Sequence, residues 1–160
     1  MFREPRKFVE TILQYDRRRS ILSIHLVTIR SENTLQIRSP NEFMHMEIEV
    51  RRKNAKTSMR HKGQKQAARR DDCEKLNELF RFPRFPESAL VDATCRISCI
   101  LSCPNNNLPN SIFEGSIPLK ELLAVRNVKL FKFIELSNIE LYSIKEEEDE
   151  CEQYDWIINV

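Results

Sequence analysis

Between Thr94 and Leu101 every second residue is apolar on one side: Cys95, Ile97, Cys99 and Leu101 alternate with Thr94, Arg96, Ser98 and Ile100. A period of two puts the first set on one face of a strand against a core. The same pattern recurs over Phe43 to Val50, with Met44, Met46, Ile48 and Val50 facing one way and His45, Glu47 and Glu49 the other. Leu22, Ile24 and Leu26 alternate with Ser23, His25 and Val27 as a half-buried strand. Leu79, Phe80 and Phe82 predict a short aromatic strand, ended where Pro83 and Pro86 remove backbone donors. Ile112 to Leu119, Leu130 to Leu136 and Ile139 to Ile144 read as further strands. Leu119, Leu122 and Leu123 stand at helical spacing and predict a short helix near 119–126. Periodicity alone leaves Lys7 to Asp16 open between helix and strand.

The segments between are polar. Ser31 to Asn41 and the Asn- and Pro-rich stretch Cys103 to Ser111 read as loops, and Lys56 to Lys62 as a strand carrying long cationic side chains outward. Gly63 to Lys75 has too few apolar residues to offset ordering, which predicts an exposed loop or one helical turn. A chain of 160 residues fits one domain with tails. It contains no run approaching the ~18 apolar residues of a membrane span. The start lacks the apolar stretch of a signal peptide and Phe2 excludes myristoylation, so the expected address is cytosolic. The five cysteines are then expected as reduced thiols, with Cys95, Cys99 and Cys103 as small hydrophobes on one strand face. His25, His45 and His61 have no partner at ligand spacing and are expected to be solvated.

Charge changes the picture more than composition does. The net charge is +2, yet from Arg51 to Arg70 there are many Lys and Arg and no acidic residue, while residues 146–150 read Glu-Glu-Glu-Asp-Glu. Such runs stay solvated until a partner of opposite sign arrives. The basic stretch has no interleaved aromatics for base stacking, which argues against nucleic acid. Gly63 and Gly115 are the only glycines, so no phosphate-cradling loop exists, and no nucleophile is flanked by a matching His motif. The expectation is a non-enzymatic binding module without a cofactor.

Asn77-Glu78 with Phe80 and Phe82, the proline turn, Asp92-Ala93-Thr94 with Ile97, the long loop, Ile112 with Gly115, and Pro118-Leu119 with Leu122 together resemble the central half of a C2 domain of the synaptotagmin type. Leu13-Gln-Tyr-Asp16 is similar to the end of that family's first strand, which favours strand for Lys7 to Asp16. The resemblance implies an all-β, eight-stranded antiparallel β-sandwich over 7–144, with a tail at 1–6, an exposed insertion at 63–75 and an acidic tail at 145–160. The ending Trp156-Ile-Ile-Asn-Val160 fits either an added edge strand or a free end.

Calcium-binding members of that family hold the ion between two loops with about five aspartates, as a hard cation requires. Here the first loop offers only Glu32 and Glu42, with Asn41 where the family places an aspartate, and the second has Asn105, Asn106, Asn107 and Asn110 but no carboxylate. No metal is expected. The resemblance makes the basic strand the binding surface: Arg51, Arg52, Lys53, Lys56, Arg60 and Lys62 would face anionic phospholipid, phosphoinositide among it, at ~1 kcal/mol each. Leu35, Ile37 and Leu108 at the loop tips are candidate membrane contacts. The function implied is calcium-independent attachment to an anionic membrane surface or an acidic protein, in trafficking or signalling. The alternative is a structural protein-interaction domain with no lipid role. Oligomeric state is not specified by the sequence.

Overall fold

The computed structural model of the chain describes residues 6–32, 42–67, 73–103, 109–125 and 128–139. The period-two segments become strands because alternate residues are apolar and each strand has one face to bury. In chain order these are β1 (Arg6–Asp16), β2 (Ile21–Glu32), β3 (Phe43–Arg52), β4 (Met59–Lys62), β5 (Gln66–Ala67), β6 (Cys73–Phe82), β7 (Ala93–Ser102), β8 (Pro109–Pro118) and β9 (Leu130–Ile139). All pairings are antiparallel, in the order β4-β3-β7-β8-β9-β1-β2-β6, with two-residue β5 beside the start of β3.

The path folds into a sandwich because β8 and β9 pair over only Ile112 to Glu114. One sheet is β4-β3-β7-β8 and the other β9-β1-β2-β6. Met46, Ile48, Cys95, Ile97 and Cys99 from the first meet Val9, Leu13, Leu22, Ile24 and Leu26 from the second in one buried cluster. Burial of each larger aliphatic chain contributes about 1.5–3 kcal/mol. Cys95 is wholly inside, and burial pushes its thiol up to about 12, so it packs as an inert hydrophobe.

The register sorts the connections by end. Hairpin 17–20, turn 53–58, segment 83–92 and the connection after β8 lie at one end, termed the turn end. The ends of β2, β7 and β9 and the starts of β1, β3 and β8 lie at the other, termed the loop end. Two 3-10 helices, Glu87–Val91 and Leu119–Leu123, close the turn end by burying Leu90, Leu119 and Leu122. Tyr15 Oη donates to the Phe85 carbonyl at 2.6 Å and fixes segment 83–92 against β1.

Opposite the β8–β9 join, the seam between β4 and β6 is open to solvent and edged by polar side chains. His61 stands opposite Ile48 and so faces inward, its ring 4.6 Å from that of Phe82 in an edge-on arrangement. At the same seam the Gln64 N–H donates to Glu78 Oε2 at 3.2 Å. Burial raises the Glu78 carboxyl above its ordinary value, against the opposing pull of the Gln64 N–H and His45. A raised carboxyl favours the fold below the unfolded value and loses that contribution as pH rises through the folded one. Glu78→Gln is therefore expected to be more stable than the native chain at neutral pH, with the difference closing in acid. Urea unfolding at both pH values checks this; equal stability throughout would mean Glu78 is effectively solvated.

Several elements differ from the sequence-based expectation. The helix expected at 119–126 is a single 3-10 turn, Leu119–Leu123, since Pro118 starts it and only Leu119 and Leu122 have a core to cover. The basic strand is confined to Met59–Lys62; Lys56 belongs to the turn before it. Leu130 to Ile139 is one strand, because Ser137 and Asn138 pair with Glu114 and Phe113 instead of turning; residues 140–144 lie outside the described residues. Within 63–75, Gln66–Ala67 pairs with β3 and Cys73 to Lys75 already belong to β6. Pro109 to Ser111, expected in the loop, start β8. His45, expected to be solvated, is half-buried and lies 3.3 Å from Glu47 Oε1, whereas His61 is exposed as expected although its ring meets that of Phe82. Cys103 lies just beyond the end of β7, half-buried, while Cys95 and Cys99 are in the core.

Candidate functional site

Arg51 and Arg52 end β3, where the strand leaves the core and its side chains reach the turn end. Asn54 turns the chain with a φ of 63°, a left-handed conformation that a short amide side chain tolerates. Asp92 clamps this turn twice. Its side chain accepts from Arg52 Nε at 3.1 Å, and its carbonyl accepts from the Lys53 N–H at 3.1 Å. A shallow depression opens between Arg51, Arg52, Lys53, Asn54 and Thr94. Lys53 at its rim and Lys56 in the same turn are exposed and without an ion pair among the described residues.

Arg60 and Lys62 behave differently. The β3–β4 register sets Arg60 opposite Glu49 and Lys62 opposite Glu47. Arg60 Nε lies 3.0 Å from Glu49 Oε2 and Arg96 binds the same oxygen at 3.0 Å, so that carboxylate is only 8% exposed. Lys62 remains 77% exposed but lies 3.7 Å from Glu47. Burial alone would raise the Glu47 carboxyl, yet the hydrogen bond and charge of His45, with Lys62 and Arg60, hold it below the ordinary value. Its contribution to stability is thus present above the ordinary glutamate range and lost as pH falls through the folded value. These two cations belong to an internally balanced network on the sheet face. Leu35, Ile37 and Leu108 lie outside the described residues.

The structure adds cations that the sequence reading missed. Hairpin 17–20 brings Arg18 and Arg19, segment 83–92 brings Arg84, and Lys120 and Lys129 follow β8, all to the turn end with Lys53 and Lys56. Every described carboxylate at this end has a partner. Glu87 binds Arg17 at 2.9 Å, Glu121 binds Lys132 at 2.6 Å, Asp92 binds Arg52, and Asp16 accepts from the Arg18 and Arg19 N–H groups. Arg18, Lys53, Lys56, Arg84, Lys120 and Lys129 have no ion pair among the described residues. A signal existed in the sequence, since each lies between strands, but only the register places them together.

The loop end also holds a cation. Lys7, on the inward face of β1, is buried; its ammonium donates to Ser31 Oγ at 2.7 Å and lies 5.1 Å from the centre of the Phe113 ring. Among the described residues no group of three or more His, Cys, Asp or Glu side chains is placed to hold a metal ion. No helix among them is long and apolar enough to cross a membrane.

Two antiparallel sheets joined along one side define a β-sandwich. No protein-family model matches the chain, and no curated protein matches it. Among solved structures it is similar to the C2-A domain of RIM from Drosophila, at 12% identity and a TM-score of 0.53, over 80% of this chain and 97% of that one. The third C2 domain of KIAA1228 protein is similar at 11% identity and a TM-score of 0.56, over 82% and 87%. The C2-A domain of RIM2 is similar at 13% identity and a TM-score of 0.50, over 80% and 96%. The chain has the C2 fold.

Proposed function

We propose that the chain is a calcium-independent, non-catalytic C2-type module that attaches to anionic phospholipid, phosphoinositide among it, through the turn end. The observation that carries this reading is the charge balance there: each described carboxylate is engaged, while Arg18, Lys53, Lys56, Arg84, Lys120 and Lys129 are not. At ~1 kcal/mol per Lys or Arg near an anionic surface, six such groups give ~6 kcal/mol, attachment in the range of tens of micromolar at moderate salt. The attraction is screened within a Debye length of about 10 Å at 0.1 M salt.

Calcium independence is supported by the donor set. Segments 33–41 and 104–108 contain no Asp or Glu, leaving only Glu32 and Glu42 beside the first, and the amine of buried Lys7, bonded to Ser31, stands at the same end. A hard divalent ion finds too few charged oxygens there. Vesicles containing a few per cent phosphoinositide are expected to co-sediment the chain equally in chelator and in added calcium, and to release it at high salt. Binding that requires calcium overturns the reading. No binding under any condition transfers the turn end to the alternative, a platform for an acidic protein.

A further inference from the structure

The second sheet presents its outer face with an apolar half and a basic half. In the β1–β9 register Phe131 stands opposite Ile12 and Phe133 opposite Glu10. Phe131 is 63% and Phe133 72% exposed, where phenylalanine is ordinarily among the most buried residues. The row continues across β2 and β6 through His25 to Leu79, itself exposed. Two carboxylates of this face are engaged, Glu135 lying 3.4 Å from Arg6 and Glu10 accepting from Thr28 Oγ1 at 3.1 Å, while Glu32 at the end of β2 is exposed. Arg30, Lys75 and Arg81, on β2 and β6, are exposed and have no ion pair among the described residues. The face thus calls for an occupant that is acidic in one part and aromatic or aliphatic in another.

We propose that this occupant is the chain's own segment 140–160. It carries Glu146-Glu-Glu-Asp-Glu150 and then Trp156-Ile-Ile158, the two chemistries that the face calls for. Placement agrees with composition. The segment begins at Ile139, the end of β9, and Phe133 lies six residues back along that strand, ~20 Å away at ~3.3 Å per residue. Trp156 is seventeen residues beyond Ile139, a maximum reach of ~56 Å, which allows the chain to reverse and return along the face. The acidic run reaches Arg30 and Lys75 within the same reversal. Tethering also makes docking intramolecular, at an effective concentration that a free ligand of equal affinity rarely meets. In this arrangement Trp156 and Ile157 cover Phe131 and Phe133, and residues 146–150 neutralise the basic half.

Trp156 is the only tryptophan, so its fluorescence reports the contact directly. In the full chain its emission is expected to be blue-shifted, with acrylamide quenching several-fold below that of free tryptophan. Phe131→Ser with Phe133→Ser should restore quenching to the free value. Because both residues are exposed, circular dichroism and thermal unfolding should show the sandwich intact. Lys75→Glu with Arg81→Glu should raise quenching part of the way. A native Trp156 quenched like free tryptophan overturns the proposal, as does protection that survives the double Phe substitution. Protection that disappears on dilution assigns the face to a second copy, and protection that arises only on vesicles assigns it to a membrane; either result also overturns it.

Discussion

Reversing Arg51, Arg52, Lys53 and Lys56 to Glu together is expected to weaken binding to phosphoinositide vesicles by about a thousand-fold at 0.1 M salt. Four groups at ~1 kcal/mol each give ~4 kcal/mol, or three decades. The four do not contribute alike. Arg52 is held by Asp92, and its replacement sets two carboxylates side by side and loosens the turn that presents Lys53. Lys53→Glu with Lys56→Glu alone is the cleaner variant, because neither side chain has an ion pair to break. It should account for about half of the loss on a logarithmic scale. Arg60→Gln with Lys62→Gln should have a smaller effect, since both cations already face Glu47 and Glu49. Co-sedimentation isotherms for the three variants at two salt concentrations separate the turn end from the strand. If the Arg60 and Lys62 pair proves dominant, the surface is the sheet face and the turn end is only solvated.

That contrast marks what the sequence disclosed and what it did not. β3 and β7 were legible because Met44 to Val50 and Cys95 to Leu101 keep strict alternation, and both inner faces are buried as read. The start of β6 was hidden by its own bulge. Asn77, at a φ of 46°, inserts beside Leu76 and breaks the period just where the flanking residues are charged. The basic stretch was visible as charge, but its division was not. Whether Arg60 meets a carboxylate depends on the register of β4 on β3, and whether Arg18 and Arg84 join Lys53 depends on which strand ends share an end of the sandwich. Both are long-range facts that one-dimensional patterning does not encode. Lys7 is the sharpest case. Its place in the alternation of β1 is inward, yet a lysine there reads as a strand boundary until Ser31 and Phe113 are seen around it.

Gly115→Ala is expected to lower thermal stability more than any surface substitution considered above. Gly115 lies on the inward face of β8, opposite Ile97, where β8 diverges from β9 after the Glu114–Ser137 pair. A Cβ built on it collides with the Glu135 carbonyl oxygen, and it comes within 3.0 Å of Leu136 Cδ2 and 3.1 Å of Ile134 Cγ2. The first obstacle is backbone. β9 cannot step aside cheaply, because it is paired with β1 from Leu130 to Ser137 and carries Ile134 and Leu136 into the core. Overpacking of a core typically costs about 1–3 kcal/mol, and a backbone obstacle puts this site at the upper end. For a domain of this size that corresponds to a fall in Tm of roughly 5–10 °C. Gly63→Ala is the internal control: its Cβ meets the carboxylate end of Glu78, a side chain free to swing into the open seam. Its Tm should fall by much less. Thermal unfolding followed by circular dichroism compares the two, and equal losses would mean that β8 and β9 are not held as closely as their three-residue pairing implies.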